Sequence, residues 1–120
     1  RMAMYAATPT TWPLLPGDPL PPPAHNAIDL AQFLGHWLAI VVLPPGPCPV
    51  WPGIAADHVL AVVTVGDVAV PDGWPSATHW HDPTGATAQR WGAGAAGGPQ
   101  QALLLTLDPA GRVASWRSLA

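Results

Sequence analysis

The sequence predicts an α/β domain built on a mixed sheet, with shortened helices in a three-layer α/β/α arrangement over residues 27–120 and a proline-rich extended arm over residues 1–26. Three observations carry that prediction. Two continuous apolar runs, Leu38–Leu43 and Val59–Val65, read as strands covered on both faces, the pattern of a central parallel pair rather than of an exposed ribbon. Residues 102–107, the turn Asp108-Pro-Ala-Gly111 and residues 112–117 read as an antiparallel hairpin with a four-residue connection. Between them, Asp82-Pro-Thr-Gly-Ala-Thr-Ala-Gln-Arg-Trp-Gly92 reads as a turn that opens a short helix and a glycine that stops it.

The remaining segments follow in order. Pro9, Pro13, Pro16, Pro19 and Pro21 to Pro23 deny the first 26 residues the donors and the α-region angles of a helix. That stretch is either a linker or an arm packing on the domain through Trp12, Leu14 and Leu15. Asp29 is placed to cap a short helical turn that Gly35 ends. Residues 49–57 leave room for only about two helical turns, with Pro52 and Gly53 inside them. Residues 71–76 are turn-rich, residues 93–98 read as a flexible connector, and no internal repeat is visible.

Composition sets the limits on function. A chain of 120 residues is one domain by length and large enough to stand without disulfides or metals. It has four Arg, seven Asp, no Lys and no Glu, for a formal charge of −3 and 9% charged residues. No basic patch can be assembled, which argues against nucleic acid and against anionic membrane surfaces. The longest apolar run, residues 37–43, is far shorter than the roughly 20 residues of a membrane span. No basic and apolar leader is visible, so a cytoplasmic location is the expectation. The chain begins at Arg1 rather than Met, as a trimmed chain or a piece of a longer polypeptide would.

Cys48 is the only cysteine, which excludes an internal disulfide, a four-cysteine zinc site and a Cys-x-x-Cys couple. It is either a nucleophile near the start of a short helix or a buried structural cysteine. His79, His81 and Asp82 place two imidazoles and a carboxylate close together, with Asp57 or His58 as the nearest extra ligand. Their spacing matches no metal signature, so hydrogen-bonded or exposed histidines are expected, with no metal and no cofactor. Trp37, Trp51, Trp74, Trp80 and Trp91 either fill the core or form an interface for a protein partner or a homodimer, the sparse charge favouring an interface. A serine triad through Ser76, Ser115 or Ser118 is rejected, since no Gly-x-Ser-x-Gly elbow exists.

From Ile28 to Trp116 the order of short helix, apolar strand, Gly46-Pro47-Cys48, apolar strand, Asp-Pro-x-Gly helix and final hairpin resembles the thioredoxin-like superfamily. Against the family's Trp-Cys-Gly-Pro-Cys, Gly46, Pro47 and Cys48 match, while Pro44 and Pro45 stand where the Trp and the first Cys would be. The second half is similar to peroxiredoxins, whose "D-P-x-G … [YW]-G … D-x-x-G" pattern is reproduced by Asp82, Pro83, Gly85, Trp91, Gly92, Asp108 and Gly111. The peroxidase set itself is missing: Pro45 takes the place of the Thr three residues before the cysteine, and no Arg stands where the family places one. Pro99 is the one candidate for the cis-proline that faces the cysteine in thioredoxins. Gly111-Arg-Val-Ala-Ser-Trp-Arg117 also resembles the last strand of the non-catalytic C-terminal domain of flavin-dependent aromatic hydroxylases.

The resemblance implies one of two functions. One is a degenerate redoxin that keeps Cys48, with Pro45, Gly46 and Pro47 shaping its loop, and either has lost turnover or uses an external resolving thiol. The other is a non-catalytic interaction or dimerisation module in which Cys48 is buried. Whether the chain is an enzyme stays open on the sequence, with the balance against it.

Overall fold

A computed structural model describes residues 14–75, 77–93 and 101–119. Trp12, Ser76, Pro99 and residues 94–98 lie outside the described residues, and so do the readings that fall on them. The elements in chain order are a 3-10 turn at Leu30–Phe33, β1 (Leu38–Leu43), β2 (Val59–Val65), β3 (Thr78–Asp82), α1 (Ala86–Arg90), β4 (Leu103–Leu107) and β5 (Val113–Ser118). The five strands form one sheet in the order β3-β2-β1-β4-β5. β1, β2 and β3 run parallel, β4 returns antiparallel beside β1, and β5 completes the hairpin.

The central position of β1 accounts for its composition. All six of its residues are buried. Leu38, Ile40 and Val42 enter the core on one face, with Ala61, Val63, Leu103 and Leu105 from the neighbouring strands. Ala39, Val41 and Leu43 enter a second core on the other face, with Val62 and Leu104. Because successive side chains leave a strand on opposite faces, a strand buried on both must be apolar at every position. β3, at the sheet edge, alternates instead, with Trp80 buried and His79 and His81 exposed.

Helices cover only one of the two faces among the described residues. The first face carries α1, the 3-10 turn and the arm, which contributes the fully buried Leu14 while Leu15 points to solvent. The second is covered by Ile54, Val68, Val70 and Trp74, all from non-helical connections, and by Leu119. The mixed sheet is as the sequence predicts, and few helices accompany it among the described residues. The layer on the second face, by contrast, consists of loops. No helix among the described residues is long and apolar enough to cross a membrane.

Local signals fix the connections. Asp29 Oδ1 accepts the amide of Ala31 at 3.1 Å and so caps the 3-10 turn. α1 ends with Gly92 in the left-handed region, letting Ala93 N donate to Ala88 O at 2.9 Å. In the β4–β5 turn, Asp108 Oδ1 accepts from Ala110 N and Arg112 N, both at 3.0 Å, and Gly111 takes φ +86°. A Cβ on Gly111 would also lie 3.1 Å from Leu34 Cδ2. Gly111→Ala is therefore expected to cost about 1–2 kcal/mol from the left-handed backbone alone, readable as a lower urea midpoint at unchanged slope.

Candidate functional site

The candidate site stands at the C-terminal end of β1, where Leu43 runs into Pro44-Pro45-Gly46-Pro47-Cys48-Pro49. Four prolines in six residues remove the amide donors that would continue the ladder, so the strand ends here. Gly46 supplies φ +133°, a backbone conformation that L side chains rarely adopt. Pro44 is buried, whereas Pro45, Gly46, Pro47 and Cys48 are all exposed. Two shallow grooves flank the loop, one walled by Gln101, Ala102 and Leu119, the other by Val68, Ala69, Pro71 and Cys48 itself.

Cys48 carries a free, exposed thiol, and its Sγ donates only to the neighbouring Pro49 carbonyl, at 3.4 Å, among its described partners. The buried structural cysteine considered from the sequence is therefore corrected, and so is the short helix after it. Residues 49–58 form no helix. Pro49, Pro52 and Gly53, the last at φ +71°, break the turn, so no helix packs over the thiol. Helix N-termini and nearby cations are what favour a thiolate. No helix begins at Cys48, and among the described residues Gln101 and the thiol are the only polar side chains lining the two grooves.

His58, His79 and His81 lie elsewhere, and each has its own hydrogen-bond partner. His79 Nε2 shares a 2.7 Å hydrogen bond with the buried Thr64 hydroxyl, and His81 Nε2 donates to Gly66 O at 2.6 Å. His58 Nδ1 bonds Asp57 Oδ1 at 2.8 Å and its ring lies against Trp37, 5.5 Å between centroids. In the β2–β3 register Val62 faces His79, which puts His58 about 13 Å down the strand direction from it. Among the described residues no group of three or more His, Cys or Asp is placed to hold a metal.

Asp82 has a structural post. Its carboxylate is fully buried at the end of β3 and accepts the amides of Ala88 at 2.8 Å and Thr87 at 3.4 Å, so it caps α1 across the Pro83-Thr84-Gly85 turn. His25 Nε2 approaches Oδ1 to 3.4 Å without hydrogen-bond geometry. The tryptophans likewise separate. Trp80 and Trp91 are buried on the first face, Trp51 and Trp74 pair edge-to-face at 5.0 Å over the second, and Trp37 is 40% exposed. They form no single groove.

No family model and no curated protein matches the chain. The expectation from the sequence that no Gly-x-Gly-x-x-Gly occurs is corrected, since Gly92-Ala-Gly-Ala-Ala-Gly97 spells one. It follows α1, whereas a dinucleotide fingerprint follows a strand and opens a helix, so it gives no cofactor reading. Thr64, Thr87 and Arg90, all of which make specific bonds, also escape sequence reading, because their partners lie 15 to 68 residues away.

Proposed function

We propose that this chain is a thioredoxin-like domain with a degenerate active site, whose Cys48 exchanges with external disulfides to form mixed disulfides and does not reduce peroxide. The observation that carries this reading is the exposed single thiol on a proline-bounded loop at the end of the central parallel strand. The parallel β1–β2 pair and the antiparallel β4–β5 hairpin support it, being the arrangement that the resemblance leads one to expect. In the exchange, the Cys48 thiolate attacks one sulfur of R–S–S–R. A new S–S bond forms to Cys48, the old one breaks, and RS⁻ leaves and takes up a proton. With no second cysteine in the chain, an external thiol must attack the adduct to release it. The uncharged groove walls suit a partner that is apolar around its sulfur.

Incubation with oxidised glutathione, read by intact mass, tests the proposal. Native protein is expected to gain one glutathionyl group at a rate within about tenfold of the urea-unfolded chain, as an exposed thiol should, and Cys48→Ser to gain none. A native rate more than about a hundredfold slower would end the thiol reading. Among the described residues no helix begins at Cys48 and no cation lines its grooves, which favours a second reading, a non-catalytic interaction module. That reading predicts that Cys48→Ser keeps whatever self-association the native chain shows in sedimentation.

A further inference from the structure

Beyond the β-bridge that pairs Pro19 with Arg112, the arm is held on the domain by a set of side-chain contacts at the end of α1. Pro21, Pro22 and Pro23 each fix φ near −65° and push the residue before them out of the α region, which favours an extended, polyproline-like course for residues 20–22, and the three prolines carry no amide donors. Their carbonyls are taken by side chains at the end of α1. Trp91 Nε1 donates to Pro21 O at 2.7 Å, and Arg90 Nη1 donates to Pro22 O at 3.1 Å and Pro23 O at 3.4 Å. Ala24 N, the first amide after the prolines, donates to Thr87 Oγ1 at 2.9 Å. An indole N–H and a guanidinium reading successive carbonyls of a Pro-Pro-Pro run is the chemistry by which aromatic grooves recognise polyproline ligands.

We infer that Thr87, Arg90 and Trp91 form a binding site for an extended proline-rich peptide, occupied in this structure by the chain's own residues 20–24. The three side chains lie within five residues of one another, Arg90 and Trp91 donating and Thr87 accepting, and all act on ligand backbone, so the site reads conformation rather than side-chain identity. Trp91 is fully buried with the arm in place, and lifting the arm would free its indole N–H. As an intramolecular ligand the arm competes at an effective concentration in the millimolar range, so outside peptides are excluded until the arm is released. The inference is independent of any chemistry at Cys48, which lies on a different loop.

The test uses the whole chain with Pro21→Ala, Pro22→Ser and Pro23→Ala together, and the nine-residue peptide Asp-Pro-Leu-Pro-Pro-Pro-Ala-His-Asn of residues 18–26 as probe. The indole N–H signal of Trp91, assigned by its loss in Trp91→Phe, is followed by two-dimensional NMR. It is expected to shift in the triple variant, to return saturably towards its native position as peptide is added, and not to move in the native chain at the same peptide concentration. A folded triple variant that leaves the signal unmoved, or whose signal ignores the peptide, would overturn the inference. An equal shift in the native chain would place the peptide elsewhere and overturn it too. Should the triple variant not fold, Arg90→Ala in the otherwise native chain decides. Amide exchange at Ala24 should then accelerate about tenfold while Val41 in β1 is unchanged, and unaltered exchange at Ala24 would refute the site.

Discussion

Trp91→Ala is expected to destabilise the domain by about 3–5 kcal/mol, the usual penalty for emptying a large aromatic from a core. Trp91 is fully buried and belongs to the cluster that joins β1, β4 and the arm. It is also bonded at both ends: its indole donates to Pro21 O at 2.7 Å and its own carbonyl accepts Trp116 Nε1 at 2.8 Å. Small domains have total stabilities of about 5–15 kcal/mol, so the variant should lose its cooperative urea transition or keep a much lower midpoint. Trp91→Phe separates the two contributions. It keeps most of the apolar volume and strands the Pro21 carbonyl, for a cost of about 1–2 kcal/mol. Equal midpoints for Trp91→Ala and the native chain would show that this indole does not hold the arm to the sheet.

The elements most open to sequence reading are those whose cause is local. β1 and β2 are visible as apolar runs because a strand buried on both faces has no polar alternation to hide it. Asp29, Gly35, Gly92 and the Asp108–Gly111 turn announce themselves through capping and turn chemistry that acts within a few residues. The boundaries of β4 and β5 differ by a single residue from the sequence reading. What escapes is non-local. The loop layer over the second face depends on Val68, Val70 and Trp74 folding back from a segment whose turn residues advertise only irregularity. The exposure of Cys48 depends on a helix that fails to form, and Pro52 and Gly53 signal the failure without saying what the thiol then faces. The recognition of the arm by Arg90 and Trp91 joins residues 67 to 70 apart and leaves no pattern in either segment alone.

Asp82→Ala is expected to cost about 2–4 kcal/mol, through a different mechanism from Trp91. Asp82 is fully buried, and it is the acceptor for the amides of Thr87 and Ala88, two donors that the first turn of α1 cannot satisfy by itself. The loss of a helix cap costs about 1 kcal/mol, and each donor left buried without a partner adds about 1–3 kcal/mol less whatever water recovers. Asp82→Asn keeps one carbonyl oxygen in nearly the same place, so it should lose roughly half as much, with Ala88 N retained because its bond is the shorter, 2.8 Å against 3.4 Å. His25→Ala, which removes a partly buried neighbour whose Nε2 makes no hydrogen bond, should cost less than about 1 kcal/mol. A double-mutant cycle between His25 and Asp82 would then show a coupling smaller than the cost of Asp82→Asn alone. The ordering matters more than any single value: Asp82→Ala above Asp82→Asn above His25→Ala follows only if the carboxylate serves the helix amides first and the arm second. If His25→Ala proved as damaging as Asp82→Ala, the buried carboxylate would be an anchor for the arm, and α1 would form without its help.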